Sequence, residues 1–544
     1  MIRFDDLPSD PLLLKQKLID VSAEKIAMAD ERNVAIAQRD AALQENEKLL
    51  LILSQYKRAL FGRRSEKVDA DQLQFLLSGN EPSIVADAAN ENAAADGTGK
   101  DTKAGAPDKP ARPRPNRNRG MLPVHLPRVD VVIDVESKIC PCCGGSLHKI
   151  GETIKEMLDV VPVVKRMVRP RYGCRGCESA VVQAPAPAQP IDGGMATEAV
   201  LAHVATMKYG YQVPLYRQEQ MLAGQGIDLD RATLALWMGR LAWWLKPLHE
   251  VLLDTVLSYP KLFADETPLP VLDPGRGKTK TCRLWVAATD DRPWGGPAPP
   301  AVVYVFAEDR KGERATELFE GFNGILQVDG YTGYNGLLDP QRPGGPVTFA
   351  FCFAHSRRKF YDVHVATGSP IAAEAVRRIG EFYAIEDRIR GKSADIRCAV
   401  RQAETKPLME DFKLWLDARL GEVSQKSGLA EAIRYALSHW EGLTRFLSDG
   451  RIEIDSNTVE RTMRPIALGR RNYLFAGSDE GGRTWSILAS LINSAKLNCI
   501  DPQEYLTDVL ERIVSGRTKI NQLHELLPWR WKAARQVTIV KAAA

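Results

Sequence analysis

The stretch "KLFADETPLPVL" at residues 261–272 begins the part of the sequence that decides the fold. Two further short apolar runs follow it, "TCRLWVAATD" at 281–290 and "AVVYVFAED" at 301–309, and both are bounded by Pro, Gly or charged residues. Such runs favour three strands of an antiparallel meander. A helical pattern, "RKGERATELFEGF", and a fourth strand, "GILQVDGYTGYN", then complete a β-β-β-α-β order.

This element order matches a ribonuclease H-like fold, in which the first and fourth strands are neighbours. Asp265 in the first strand and Asp329 near the end of the fourth are therefore expected to converge. Two carboxylates about 4 Å apart would cost on the order of 4 kcal/mol at an effective dielectric near 20. Either one carboxylate keeps a proton or a divalent cation lies between them, and oxygen-rich sites suit Mg²⁺ or Mn²⁺.

A third acid, Glu460, stands at the head of the arginine-rich stretch "IEIDSNTVERTMRPIALGRRNYLF". In one interpretation Asn457 caps a helix and Glu460 completes a capping box. In the other, Glu460 lies in a first helical turn against the sheet and is a metal ligand. Both can hold at once. The residues that would then face a phosphodiester backbone are Arg461, Arg464, Arg470 and Arg471.

Two Cys-x-x-Cys turns, "CPCCGG" and "YGCRGC", are separated by some thirty residues with strand-like patterns. Paired turns of this kind close a tetrahedral zinc site with no open position. The predicted ligands are Cys140, Cys143, Cys174 and Cys177. Cys142, inside the first turn, is either a substitute ligand or a free thiol.

The flanking segments are helical or polar. The sequence pattern of residues 12–60 predicts one long helix with an irregular heptad seam. This helix either forms a coiled coil with another copy or packs against the rest of its own chain. The basic, proline-containing linker that follows lies along DNA or is simply solvated. Between 195 and 257, two helices joined by a glycine-rich turn, the second capped near Asp230 or Thr233, resemble a helix-turn-helix, although other helix pairs share that pattern.

Length and composition limit the function classes. A chain of 544 residues predicts about three to five domains. The net charge of +4 is small, so contacts with nucleic acid depend on local basic clusters. The sequence shows neither a secretory pattern nor a run of apolar residues long enough for a membrane helix. We expect a cytoplasmic protein.

Several motifs together resemble the TnpC-type transposases of the insertion sequence 66 family. They are "FADETPLPVL", "KTKTCRLWVAATD", "QVDGYTGYN", "CFAHSRRKF", "EIDSNTVERTMRPIALGRRNYLFAGSDEGG" and "LLPWRW". The resemblance implies a DDE transposase whose triad corresponds to Asp265, Asp329 and Glu460. It also implies a helical insertion before Glu460 and small accessory proteins encoded beside the transposase. A bacterial protein that associates with the nucleoid when it binds DNA is a further implication of the resemblance. We rank Glu266, Glu453 and Asp455 below the triad.

The motif "CFAH" adds Cys352 and His355 as possible accessory residues, similar to a Cys-x-x-His arrangement in several DDE transposase families. His355 contacts DNA, orients an active-site acid, or has only a structural role at a strand-helix junction. The basic residues that follow, and that more plausibly meet phosphate, are Arg357, Arg358 and Lys359.

The sequence thus predicts a multidomain α/β protein with a ribonuclease H-like catalytic core and a helical insertion. The predicted segments are a coiled-coil helix with a basic end (1–77), a disordered basic linker (78–120), a zinc ribbon (121–185), a helix-turn-helix-like domain (186–258), the first segment of the core (259–365), the helical insertion (366–450), the second segment of the core (451–500) and a helical tail (501–544).

The predicted activity is cleavage of element ends and strand transfer into target DNA with two Mg²⁺ or Mn²⁺ ions. The expected partners are terminal inverted repeats, target DNA, further copies of the chain through the coiled coil, and the accessory proteins. Two alternatives stay open. One is a ribonuclease H-like nuclease without strand transfer, and the other is a catalytically inactive DNA-binding regulator that uses the zinc ribbon and the helix-turn-helix.

Overall fold

The computed structural model describes residues 122, 126–159, 164–177 and 180–543. The coiled-coil helix predicted for 1–77 and the linker predicted for 78–120 lie outside these residues. Along the described stretches of the chain, no helix is both long and apolar enough to cross a bilayer.

A small sheet surrounds the cysteines. Its longest strands, β2 (Leu147–Leu158) and β3 (Val164–Cys174), pair antiparallel. Two short strands pair with the other edge of β3. β1 (Arg128–Val132) runs parallel to β3, and β4 (Val181–Gln183) runs antiparallel to it. Because β3 ends at Cys174, this strand places one of the predicted zinc ligands at the start of the second Cys-x-x-Cys turn.

Three helices follow: α1 (Glu198–Ala205), α2 (Leu215–Gly224) and α3 (Arg231–Leu257). Asp230 caps α3, since its carboxylate accepts from the Ala232 N–H at 2.8 Å. Of the two expected capping positions, Asp230 is confirmed and Thr233 lies inside the helix. One face of α3 is buried in the same apolar core as the main sheet.

The main sheet has five strands in the order β7-β6-β5-β8-β9. The first three form the predicted antiparallel meander, and β8 and β9 run parallel to β5. The bounds are β5 (Lys261–Leu272), β6 (Thr279–Thr289), β7 (Ala301–Ala307), α4 (Gly312–Leu318), β8 (Ile325–Val328) and β9 (Thr348–Phe351). The strand that carries Asp265 is thus central and adjacent to the strand that precedes Asp329.

A helical segment with its own apolar core joins β9 to the helix that carries Glu460. Phe382 lies at its centre and makes edge-to-face contacts with Phe353 and Phe412. Its helices are α5 (Phe353–Thr367), α6 (Pro370–Ile389), α7 (Ala394–Val400), α8 (Lys406–Glu422), α9 (Gly428–Ser438) and α10 (Trp440–Thr444).

The last helices close the core over the sheet. They are α11 (Asn457–Tyr473), α12 (Asp479–Leu497), α13 (Pro502–Val514) and α14 (Pro528–Ala543). Serines of α12 bond the backbone of edge strand β7: Ser490 Oγ accepts from the Tyr304 N–H at 2.8 Å, and Ser494 Oγ accepts from the Val302 N–H at 3.0 Å. The helix therefore covers an edge whose backbone groups would otherwise stay unpaired.

Candidate active site

Strand register places the two aspartates at equivalent positions. Phe263 on β5 lies opposite Gln327 on β8. Asp265 and Asp329 each follow two residues later, so both lie on the face shared by Phe263 and Gln327 if the strand alternation continues. The convergence expected from the sequence depends on this parallel pairing of β5 and β8.

The electrostatics of Asp265 reflect its neighbours. Burial raises the pKa of this carboxyl well above its usual value, and the negative charges of Asp329 and Glu266 raise it further. The Glu266 N–H, which donates to Asp265 Oδ1 at 2.8 Å, and His355 act in the opposite direction. A buried acid beside other acids is held neutral unless a cation reaches it.

The turn after Asp329 has a fixed shape. Asp329 Oδ1 accepts from the Tyr331 N–H at 2.9 Å, and the intervening Gly330 has a φ of 94°. A Cβ at Gly330 would lie 3.1 Å from His439 Nε2 and 3.2 Å from Tyr435 Oη. The helical segment thus packs directly on this turn, and Tyr435 Oη also donates to the Asp329 carbonyl at 2.7 Å.

Glu460 lies in the first turn of α11, and hydrogen bonds fix both ends of that helix. Before it, the Glu453 N–H donates to Gln327 Oε1 at 3.0 Å and Gln327 Nε2 donates to the Glu453 carbonyl at 2.9 Å. After it, the Ala476 N–H donates to the Pro270 carbonyl at 2.9 Å. The backbone that carries Glu460 is therefore held against both β8 and β5.

The prediction that Asn457 and Glu460 form a capping box is wrong. The residue at the N-cap is Ser456, whose side chain makes no capping hydrogen bond, and Asn457 is already helical. The Asn457 N–H and side-chain amide both donate to Asp455, at 3.1 and 2.8 Å. Glu460 has no such local role.

Cys352 and His355 lie beside Glu460. Cys352 precedes α5, is 1% exposed, and its Sγ accepts from the Ser456 N–H at 3.2 Å. His355 Nδ1 lies 3.9 Å from Glu460 Oε1. Burial lowers the pKa of His355, but the Cys352 side chain and the charges of Glu460 and Asp329 outweigh that effect and raise the pKa to about 10. His355 therefore interacts with both Glu460 and Asp329, two of the predicted catalytic acids.

The three predicted catalytic acids are not drawn into one tight cluster. Among the described residues, two groups of three or more ligand side chains bring their ligand atoms within 4.8 Å of one another. One is the four predicted zinc ligands, and the other is Cys352, His355 and Glu460. Glu460 thus lies with the accessory residues, while Asp265 and Asp329 interact with each other and with His355.

The arginines of α11 differ in their surroundings. Arg461 and Arg464 are exposed, as is Arg471 in the last turn. Arg470 is half-buried and its guanidinium donates to the Pro268 carbonyl of β5. Arg470 thus supports the packing of α11 on the sheet.

The basic residues of α5 are half-buried: Arg357, Arg358 and Lys359. Arg358 Nε bonds Asp362 at 3.0 Å, and Lys359 Nζ lies 3.4 Å from Glu431 on α9. Arg358 and Lys359 thus lie close to acids of their own chain.

The lower-ranked acids have structural partners. Glu266 is paired with Arg310, whose guanidinium also stacks on the Tyr331 ring. Glu453 accepts from buried Arg397 at 2.7 Å. Sequence reasoning missed Gln327 and Tyr435 as residues that support the site. The only local signal was a glutamine inside the apolar strand "ILQV".

The four cysteines form the predicted zinc site. Cys140 Sγ lies 3.6 Å from Cys177 Sγ, and Cys143 Sγ lies 3.5 Å from Cys174 Sγ. Tetrahedral ligands with zinc–sulfur bonds of about 2.3 Å are about 3.8 Å apart, so the arrangement fits a structural zinc ion. Cys142 is exposed and does not belong to this group.

Comparison with known proteins agrees with this geometry. The model of the transposase IS66 family matches residues 193–484, and that of the IS66 C-terminal element matches 490–529. The zinc-finger binding domain of transposase IS66 matches 137–178, and a model described as transposase C of IS166 homeodomain matches 48–131.

Similar chains occur in Sinorhizobium fredii. The uncharacterized protein y4jD is 52% identical over 88% of this chain and 93% of its own length. The uncharacterized protein y4qI is 40% identical over 97% of this chain and 98% of its own. The family models that match the mixed α/β core and the four-cysteine module support a transposase role. The chain belongs to the IS66 transposase family.

Proposed function

We propose that the chain is a DDE transposase that cuts the ends of an insertion sequence and joins them to target DNA. Asp265, Asp329 and Glu460 are its catalytic acids in this proposal. The observation that carries it is the parallel pairing of β5 with β8, whose register matches Phe263 with Gln327, two residues before Asp265 and Asp329. The effect of Asp329 on the pKa of Asp265 supports the same assignment.

The proposal includes a ribonuclease H-like core. Its support is the strand order, in which three antiparallel strands place the first strand at the centre and two parallel strands follow on its other side. The helical segment of α6–α10 would then be an insertion before the third acid. Family membership implies DNA binding, and assembly through 1–77 and accessory proteins belong to the proposal.

The donor set fits divalent magnesium or manganese. All three side chains offer carboxylate oxygens, the ligands these ions prefer, and Asp265 is buried beside a second acid. Asp265, Asp329 and Glu460 would hold two ions. When bound, such ions stabilise negative charge on the oxygens of the reacting phosphodiester.

The other residues of the chain position the reactants. Arg461 and Arg464 extend from the same helix as Glu460 and would hold the DNA backbone beside the acids. For Glu460 to act with the aspartates, its side chain turns from His355 toward them. Water cleaves the element end and leaves a 3′ hydroxyl. This hydroxyl attacks a target phosphodiester and displaces the 3′ oxygen of the target strand. The chain then needs no covalent intermediate.

The test is incubation of the full-length protein with the flanking DNA ends and Mg²⁺. We expect 3′ end cleavage and joined products, and we expect D265N and D329N to lose both while they still bind DNA. The matched control is D417N, an exposed acid on α8, which should retain both activities. Cleavage without joining would indicate a nuclease, and cleavage by D265N would refute the assigned site.

A further inference from the structure

Cys352, His355 and Glu460 form a ligand set that magnesium chemistry does not use. A thiol sulfur, an imidazole nitrogen and a carboxylate oxygen lie within 4.8 Å of one another. Sulfur and nitrogen ligands select zinc and similar transition metals, whereas Mg²⁺ takes oxygen ligands. We propose that these residues bind a Zn²⁺ ion, in addition to the ion held by the four cysteines.

The starts of two helices, α5 and α11, bring these ligands together. Cys352 and His355 are three residues apart at the start of α5, a spacing that places them on one side of a helical turn. Glu460 comes from the start of α11. A hydrogen bond from the Phe353 N–H to the Ile454 carbonyl, 3.0 Å long, ties the two helix starts together.

One further observation points to a ligand. His355 Nδ1 is buried and has no hydrogen-bond partner among the described residues, and such an orphaned polar atom is costly. The Ser456 N–H donates to Cys352 Sγ at 3.2 Å, which fixes this sulfur beside the start of α11.

The spacing suits a tetrahedral zinc ion after a small adjustment. Ligand atoms of a tetrahedral zinc site are roughly 3.3 to 3.8 Å apart, so contraction from the observed separations is on the order of 1 Å. Three protein ligands leave a fourth position open, unlike the closed four-cysteine site. This ion is therefore expected to exchange more readily than the first.

The consequence for catalysis rests on the proposed function. Glu460 is both a ligand of this site and the third proposed catalytic acid. Zinc on Cys352 and His355 would hold Glu460 away from Asp265 and Asp329. The site would then make Mg²⁺-dependent cleavage sensitive to the concentration of free zinc.

The experiment counts zinc ions on the full-length protein after dialysis against buffered free zinc, without DNA. We expect two ions per chain for the parent protein and one for C352S and H355A. The matched control, C398S, removes a half-buried thiol that bonds the Leu447 carbonyl and should retain two. One ion on the parent protein, or two on C352S, would overturn the proposal.

A second variant covers misfolding of the first. If C352S loses both ions, the E460Q variant tests the proposal in its place. The Glu460 side chain is partly exposed, so this substitution is expected to leave the fold intact. We expect at least tenfold weaker binding of the second ion to E460Q, with the first unchanged, and unchanged binding of both would again overturn the proposal. Since no DNA is present, a failure of the proposed transposase activity would leave this count unaffected.

Discussion

Gln327 and Glu453 exchange two hydrogen bonds, one from each to the other, across 126 positions of the chain. Gln327 is fully buried on β8, two residues before Asp329, and Glu453 lies seven residues before Glu460. This pair therefore sets the distance between the strand that leads to one proposed acid and the helix that carries another.

Substitution of this glutamine should damage stability and activity together. In Q327L, a buried backbone N–H and C=O lose their partners, at a cost of about 1–3 kcal/mol each. We expect a lower unfolding temperature and a larger loss of cleavage than of DNA binding. The control is Q341L, at an exposed glutamine, which should change neither. Full cleavage by folded Q327L would show that the pair does not position Glu460.

A buried ionic network fixes the helical segment. Glu386 of α6 accepts hydrogen bonds from Arg401 at 2.7 Å and from Arg397 at 3.3 Å, and all three are almost inaccessible. E386A leaves two guanidinium groups buried without this carboxylate, so we expect a loss of about 3–5 kcal/mol. E381A, on the exposed side of the same helix, should cost less than about 1 kcal/mol. Denaturant unfolding compares the two variants.

The zinc module should depend on its ligands and not on the neighbouring thiol. Replacement of Cys174, which is buried at the end of β3, is expected to abolish zinc binding at the four-cysteine site and unfold the small sheet of β1–β4. C142S removes an exposed thiol and should retain both. Limited proteolysis with and without a chelator measures the effect. A C174S variant whose module resists the protease as well as that of the zinc-bound parent protein would contradict the assignment.

Exposed arginines of α11 should contribute to DNA affinity through phosphate. R464A is expected to weaken binding to all DNA sequences alike and to lower the slope of log affinity against log salt by about 0.9. R388A removes an exposed arginine paired with Glu404 on the helical segment and should leave the slope unchanged. A sequence-dependent effect of R464A would indicate a base contact instead.

A buried histidine should make stability fall in mild acid. Burial lowers the pKa of His249 to about 4, and its Nε2 lies 3.1 Å from the Tyr304 carbonyl. Below about pH 6.5 the unfolded chain binds a proton that the folded chain excludes, so stability decreases by up to about 1.4 kcal/mol per pH unit down to about pH 4. H249Q should show a smaller difference in unfolding temperature between pH 7 and pH 5. H524Q, at an exposed position, should keep the parental difference.

Local sequence patterns were sufficient for some features and not for others. The strand meander, the cap at Asp230 and the four-cysteine cluster follow from runs and spacings within a few residues. Contacts such as Tyr435 with Asp329 join positions 106 residues apart, and nothing local to either residue records them. The prediction of a capping box was wrong because the Asn457 N–H donates to Asp455 instead. The Asn-x-x-Glu pattern does not reveal this competing short-range hydrogen bond.

The serines of α12 that bond β7 also decide how copies of this protein can associate. At the opposite edge, the Arg445 guanidinium donates to the Phe349 carbonyl of β9 at 2.8 Å. Because Val302 and Tyr304 of β7 and Phe349 of β9 already have backbone groups engaged, a strand from another molecule would find fewer free partners at these edges, which disfavours edge-to-edge aggregation. Contacts between copies on DNA are then expected from surfaces other than the two edges of the main sheet.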